Sequence, residues 1–239
     1  MTWYQPEPVI EQHGKCLVVR DDLVPGGSKM RFLPFLVQDA KEVVFGGPFC
    51  GGAPFALSVW GQRTGTKVTL FYAKRGELHR RQIAAYRNGA KIYQVPFGYM
   101  TNVQAKAKLY AKDHGALFLP LGFDLPQASE PFIQQMGVVR SMVGKVDEIW
   151  AATGSGMLAR CLGRAFPDTS VHGVIVGLRS RNAKQEFGGN VTLHEAPYDF
   201  SRETKATAPF PSDGNYDRKA WEMCQARSNG KVLFWNVLG

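Results

Sequence analysis

The chain is poor in the features that announce a specialised class. It has four cysteines in 239 residues, at Cys16, Cys50, Cys161 and Cys224, with no C-x-x-C pair and no histidine at ligand spacing. That argues against a zinc site and for isolated buried or semi-buried thiols, and no other metal cluster is expected. No apolar run approaches the roughly 20 residues needed to cross a bilayer, so no membrane partner is expected. The opening MTWYQPEPVIEQHGK lacks a basic head followed by an apolar stretch, so no cleaved leader is expected either. Internal repeats, low-complexity tracts and long charge blocks are absent. Hydrophobic residues make up 44% and charged residues 21%, which excludes disorder as the main state. The expected location is the cytoplasm. Acidic residues are also scarce: Asp and Glu total 20 against 29 Lys and Arg, for a net charge of +9. Such a surplus is consistent with a well-hydrated surface or with a polyanionic partner such as nucleic acid.

Short β-rich runs alternate with helical stretches. Residues 15–20, 42–47, 67–73, 90–96, 116–120, 147–154, 171–177 and 231–237 predict strands, several of them continuously apolar, as strands buried on both faces are. Residues 77–89, 102–115 and 131–144 predict helices, with glycine placed to close them. This alternation predicts parallel βαβ units and an α/β fold with helices on both faces of mainly parallel sheets. Residues 178–215, rich in Gly, Pro, Ser, Thr and charge, predict long surface loops.

Three glycine-rich turns are the candidate sites. In PGGSKMRFL, Lys29 follows a glycine turn at the expected start of a helical stretch. The positive helix end disfavours an ammonium there, which favours a nucleophilic amine. Taken alone, Lys29 is equally an ordinary surface lysine. It is not part of a P-loop, because the earlier glycine of that motif is missing. In FGGPFCGGAPFAL, Gly47, Cys50, Gly51 and Gly52 lie between a strand and a helix. Backbone N–H groups there suit an anion such as a carboxylate, and a purely structural turn fits as well. In WAATGSGMLARCLG, a strand runs into Thr153, Gly154, Ser155 and Gly156 and then a helix from about Met157, which is how α/β folds seat a phosphate. A nicotinamide or methyl-donor Rossmann site is the rival, weakened by Ala159 at the third glycine position and by the late place of the turn in the chain.

Five segments in order resemble one family. They are DDLVPGGSKMRFL (21–33), NGAKIYQVP (88–96), ALFLPLGF (116–123), ATGSGM (152–157), and NYDRKAW (215–221) with GKVLFWNVLG after it. Together they resemble fold type II (tryptophan synthase beta-like) pyridoxal-phosphate enzymes, in the branch of 1-aminocyclopropane-1-carboxylate deaminase and D-cysteine desulfhydrase. The resemblance implies two interleaved three-layer α/β/α domains: a large cofactor domain of residues 1–45 and 121–239, and a small one of residues 46–120. It implies that Lys29 holds pyridoxal 5'-phosphate as a Schiff base and that Thr153, Gly154, Ser155 and Gly156 bind its phosphate. It implies Asp217 against the pyridine nitrogen and Tyr216 as an active-site tyrosine, with Tyr198 a further candidate. Without the resemblance, Tyr216 and Asp217 read as turn residues. A homodimer is implied as well.

The chain departs from the branch at its Ser-Asn-His substrate segment, whose place is taken by Pro48–Pro54, and Met157-Leu158 stands where the cup continues Gly-Thr. It is also shorter than typical members, chiefly between residue 178 and Tyr216. The altered loop makes decarboxylation an option beside deamination or elimination at Cα. With the charge surplus, it points to an amino acid carried on a modified DNA base, as in phage thymidine hypermodification, with Arg63, Lys67, Arg80, Arg81, Arg179, Arg181 and Lys184 as candidate phosphate contacts. The alternatives are a free D-cysteine or 1-aminocyclopropane-1-carboxylate deaminase or desulfhydrase, and a non-catalytic relative that binds a ligand or nucleic acid.

Overall fold

The computed structural model describes residues 6–176 and 187–239. In chain order the elements are β1 (Ile10–His13), β2 (Cys16–Arg20), α1 (Leu33–Val37), β3 (Glu42–Gly46), α2 (Gly52–Thr64), β4 (Lys67–Ala73), α3 (Arg80–Arg87), β5 (Lys91–Val95), α4 (Met100–His114), β6 (Leu117–Leu119), α5 (Pro126–Val143), β7 (Glu148–Thr153), α6 (Met157–Ala165), β8 (Ser170–Ile175), β9 (Val191–Glu195), α7 (Asp217–Arg227) and β10 (Val232–Asn236). All eight strands expected from sequence are present. They divide between two compact units, one spanning Phe32–Leu125 and the other formed by the chain on either side of it. Strand β3 lies within Phe32–Leu125 and pairs with β4 and β6; the compact units divide after Arg31 and after Leu125, where the resemblance implied domain limits at 45 and 120.

The flanking unit holds a sheet in the order β1-β2-β10-β7-β8-β9, parallel except for the β1–β2 hairpin. Successive residues of a strand face opposite sides, and both sides here are covered. Val18, Trp150, Val174 and Phe234 meet Ala220, Trp221 and Cys224 of α7 on one face. On the other face, Gly173 lies against Ala159 of α6, and Phe132 of α5 packs edge-on to Trp235 with ring centroids 6.0 Å apart. Burying each large apolar side chain contributes about 1.5–3 kcal/mol, so this double-sided core dominates the unit's stability.

Strand β9 sits inside the stretch expected to be loop and pairs in parallel with β8. As an edge strand it is bonded on one side only, and its polar residues hide it in the sequence.

The Phe32–Leu125 unit has a fully parallel sheet in the order β5-β4-β3-β6. Helix α4 buries Val103, Ala107 and Ala111, spaced four apart, against Val44, Phe71 and Val95. It closes at Gly115, whose φ of 62° few other residues tolerate. The helix expected from residue 77 starts at Arg80 because His79 caps it. The His79 ring accepts from Arg81 N–H at 3.3 Å, and the Gln82 side chain accepts from His79 N–H at 2.9 Å.

Candidate functional site on three adjacent strand ends

Strands β2, β10 and β7 are parallel neighbours, so their C-terminal ends lie side by side at about 4.8 Å intervals. The chain leaving β2 reaches Lys29, and the chain leaving β7 forms the Thr153–Gly156 turn. Between them, the residues after β10 bond to Ser28 in the first of these segments and to Asp213 and Asp217 at the start of α7. Ligands of open α/β sheets collect at such carboxyl ends.

Lys29 is the centre of a five-residue 3-10 turn, Gly27–Arg31, and not the first turn of an α-helix, so the helix-end argument for its amine is withdrawn. The turn is fixed through its neighbours. Ser28 N–H donates to Val237 O at 3.1 Å. The fully buried Asp21 carboxylate accepts from Ser28 Oγ at 2.6 Å, from Arg31 Nε at 2.9 Å, from an Arg31 terminal nitrogen at 2.5 Å and from Trp235 Nε1 at 3.0 Å. Arg31, only 2% exposed, also donates to Pro6 O, and Gln135 donates to the Arg31 carbonyl. Lys29 itself is half-buried. Gly27 has a φ of 74°, and a Cβ there would collide with the Val237 carbonyl. Gly27→Ala is therefore expected to cost about 2–3 kcal/mol, read as a lower urea midpoint at unchanged slope.

The second part is the turn into α6. Gly156 is the N-cap at φ 89°, no side chain caps the helix, and its first turn carries no acidic residue. The leading N–H groups and the positive helix end are thus available to an anion. Thr153 Oγ1 is buried with no hydrogen-bond partner among the described residues. A buried hydroxyl left unsatisfied costs about 1–3 kcal/mol, which marks a donor kept for something else.

The third part is the start of α7. Asp217 is its first residue, fully buried, with Oδ2 accepting from Leu238 N–H at 3.0 Å. Tyr216 is the N-cap rather than a plain turn residue, and a Cβ on Gly154 would lie 3.5 Å from its hydroxyl, so Tyr216 stands over the cup. Loss of water and the neighbouring Asp217 carboxylate push the Tyr216 phenol well above its usual pKa, and a backbone hydrogen bond from Gly154 offsets part of this. The phenol therefore keeps its proton at neutral pH. Two residues on, the buried Lys219 donates to Asp199 O at 2.7 Å, pinning that segment to α7.

No family model matches the chain. It is 22% identical to the glycyl-dTMP PLP-dependent decarboxylase of Pseudomonas phage M6, over 92% of this chain and 93% of the relative. Among solved structures, an ACC deaminase homologue superposes with a TM-score of 0.83 at 18% identity, covering 97% of this chain and 89% of the other. O-ureido-L-serine synthase gives 0.73 at 14% identity (98% and 88%), and a hydrogen sulfide-producing enzyme from Fusobacterium nucleatum gives 0.71 at 12% (98% and 93%). The chain has the fold of the fold type II pyridoxal-phosphate enzymes.

Within this fold type II chain the remaining candidates scatter. The Tyr198 hydroxyl donates to Glu222 of α7 at 3.2 Å, and Thr204 shares that carboxylate at 2.6 Å. The 47–52 loop belongs to the Phe32–Leu125 unit. Gly47 N–H donates to Phe71 O, Gly51 caps α2 without a side-chain bond, and buried Cys50 gives its carbonyl to Arg81 at 2.9 Å. Arg80 and Arg81 begin α3, whereas Arg63 and Lys67 flank the start of β4 at the opposite strand ends. Arg179, Arg181 and Lys184 lie outside the described residues.

The cysteines are all free thiols but not all isolated. Cys224 hydrogen-bonds Cys16, drawing the Cys16 pKa down to about 7 and pushing its own up. Among the described residues there is no cluster able to hold a metal ion, and no helix is long and apolar enough to cross a membrane. A cavity of about 360 Å³ lined by Lys15, Leu17 and Lys231 lies at the starts of β2 and β10, the far ends of those strands from the Lys29 turn.

Sequence reasoning passed over Asp21, Ser28 and Arg31, although all three sit in the segment that drew attention to Lys29. The acidic pair ahead of the glycine turn was the available signal.

Proposed function

We propose that this chain is a pyridoxal-phosphate-dependent lyase that decarboxylates an amino acid borne by a thymidine nucleotide, with DNA as the carrier. The observation that carries this reading is the gathering of a lysine turn, an anion cup and a buried carboxylate on three adjacent strand ends. The cup suits the cofactor's phosphate, because Thr153 brings a buried hydroxyl without a partner and α6 starts without a cap. The phage relative's name supplies the substrate class, and the match runs nearly the full length of both chains.

In this reading Thr153, Gly154, Ser155 and Gly156 hold the phosphate, and Lys29 holds the cofactor's aldehyde carbon. When bound, pyridoxal phosphate supplies a sink for the electron pair left on Cα as carbon dioxide departs. Asp217 is oriented by the Leu238 N–H and shielded from water, so it holds a proton at the ring nitrogen. Tyr216 stays protonated beside the cup and offers a hydrogen-bond donor there. The Lys29 amine would deliver the proton that takes the place of the lost carboxylate on Cα. A homodimer and a cytoplasmic location go with this reading, and sedimentation of the loaded protein gives its mass.

The test combines two measurements. Protein mixed with pyridoxal phosphate and reduced with borohydride should carry one adduct, mapped to the peptide holding Lys29. Loaded protein should release carbon dioxide from an oligonucleotide bearing a glycyl-modified thymidine. Failure to take up the cofactor would end the enzyme reading. Release of ammonia from free small amino acids instead would favour the deaminase alternative, which the superposition on an ACC deaminase homologue supports.

Thr153→Val separates fold from site. It removes the unsatisfied hydroxyl at constant shape, so the cofactor-free protein should be unchanged or more stable by about 1 kcal/mol. Pyridoxal phosphate should bind about tenfold more weakly, a difference of about 1.4 kcal/mol. Thermal melting and absorbance titration read the two effects independently.

A further inference from the structure

Twelve of the 29 cationic side chains but only five of the 20 carboxylates fall within Phe32–Leu125. That unit therefore carries +7 of the chain's +9. Because β3, β4 and β5 are parallel neighbours, the segments that follow them, 47–51, 74–79 and 96–99, leave the sheet at one edge. They adjoin one another there: Lys74 N–H donates to Val95 O at 2.9 Å, and Arg75 N–H to Gln94 Oε1 at 3.3 Å. With the start of α3, the segments after β3, β4 and β5 hold Lys74, Arg75, Arg80 and Arg81 against one carboxylate, Glu77. Asp124 follows β6, which is parallel to β3 and beside it, so this carboxylate leaves the sheet at the same end, on the side away from β5.

Aromatic rings are set among these cations. Phe97 is 90% exposed and Tyr99 78%, while Arg75 stacks 3.8 Å from the Phe49 ring centroid. Phe97 also has a φ of 50°, an uncommon conformation for a bulky residue. Its carbonyl is tied down by Tyr99 N–H at 2.9 Å and by Asn102 Nδ2 at 3.1 Å, so the turn holds its ring in the solvent. Residues held in sparsely populated backbone regions gather at ligand clamps. Two large rings left in water amid like charges have no packing role within this unit.

We propose that this edge is a binding track for single-stranded DNA, with Lys74, Arg75, Arg80 and Arg81 on the phosphates and Phe97 and Tyr99 as stacking platforms for unstacked bases. A basic strip interleaved with exposed aromatics is how single strands are held without sequence reading. An enzyme acting on a base needs that base out of its stack. The proposal deepens the DNA-borne substrate reading and rests on it for the identity of the ligand. The surface itself stands on charge and exposure.

The test uses the full chain and a fluorescein-labelled oligothymidine strand in fluorescence anisotropy across a salt series. The wild type should bind the single strand more tightly than a duplex of equal length. Lys74→Ser with Arg75→Ser should reduce the log–log salt slope by about 1.4, at about 0.7 per lost phosphate contact. Phe97→Ala with Tyr99→Ala should weaken binding about 30-fold or more at unchanged slope. Both pairs should load pyridoxal phosphate as the wild type does.

Absence of binding at low salt in cofactor-loaded protein would overturn the track and leave the lyase reading standing. Wild-type binding by both variants would overturn the placement. A changed sedimentation mass in Phe97→Ala/Tyr99→Ala, with DNA affinity intact, would overturn it in favour of a contact between copies. Salt-dependent binding that responds to both pairs, in a protein that takes up no cofactor, would support the track and sink the lyase reading.

Discussion

Lys29→Ala is expected to lose cofactor attachment and turnover together while keeping its fold. The turn around Lys29 is held by Ser28 and Arg31 and by the backbone bond to Val237, none of which uses the lysine side chain. Cofactor-free stability should therefore stay within about 1 kcal/mol of wild type. Loss of a positioned proton-transfer group alone removes about 10²–10⁴ in rate, and loss of the covalent hold on the cofactor adds to that. The borohydride-stable adduct should vanish. A small added amine should restore part of the turnover, which a variant that had merely misfolded would not show. An adduct on another lysine would move the centre elsewhere.

Asp21→Ala has the largest expected effect on stability. Asp21 and Arg31 are both cut off from water, and the carboxylate gathers four donors from Ser28, Arg31 and Trp235. Removing it leaves a guanidinium charge buried and unpaired, which costs about 3–5 kcal/mol. Against a total at the low end of the typical range, about 5 kcal/mol, that is enough to unfold a good part of the population at room temperature. Replacing both partners with apolar residues of similar volume, Asp21→Leu with Arg31→Met, should recover most of the loss, since a buried pair is worth little against a packed core. Urea unfolding of the single and double variants measures the difference. A single variant within 1 kcal/mol of wild type would mean that water reaches Arg31.

The sequence was legible where one short window carried the whole signal. Runs such as 42–47 and 67–73 are apolar on both faces and could only be interior strands. Strands β1 and β9 alternate with polar residues at the rim of the sheet and went unseen. Helix α7 was hidden because its opening Tyr216-Asp217 looks like a turn, although Ala220, Trp221, Met223 and Cys224 bury its inner face. In the candidate site, glycine turns pointed to Lys29 and to Thr153–Gly156 without help. The family resemblance was needed for Tyr216 and Asp217, and nothing local disclosed the Asp21 network. That network closes through Trp235, 214 positions further along, and no window spans such a distance.

Strand β10 comes after every other described element and is the central one between β2 and β7. Every residue proposed for the site precedes it. A chain cut before Val232 would keep Lys29, the Thr153–Gly156 cup, Tyr216 and Asp217 and still have no means of bringing them together. On a ribosome, the Phe32–Leu125 unit is made complete long before the centre can close, because the opening hairpin must wait for its partner strand. Pairing across so long an interval is intrinsically slow. The candidate site can assemble only after Val232–Asn236 has been made.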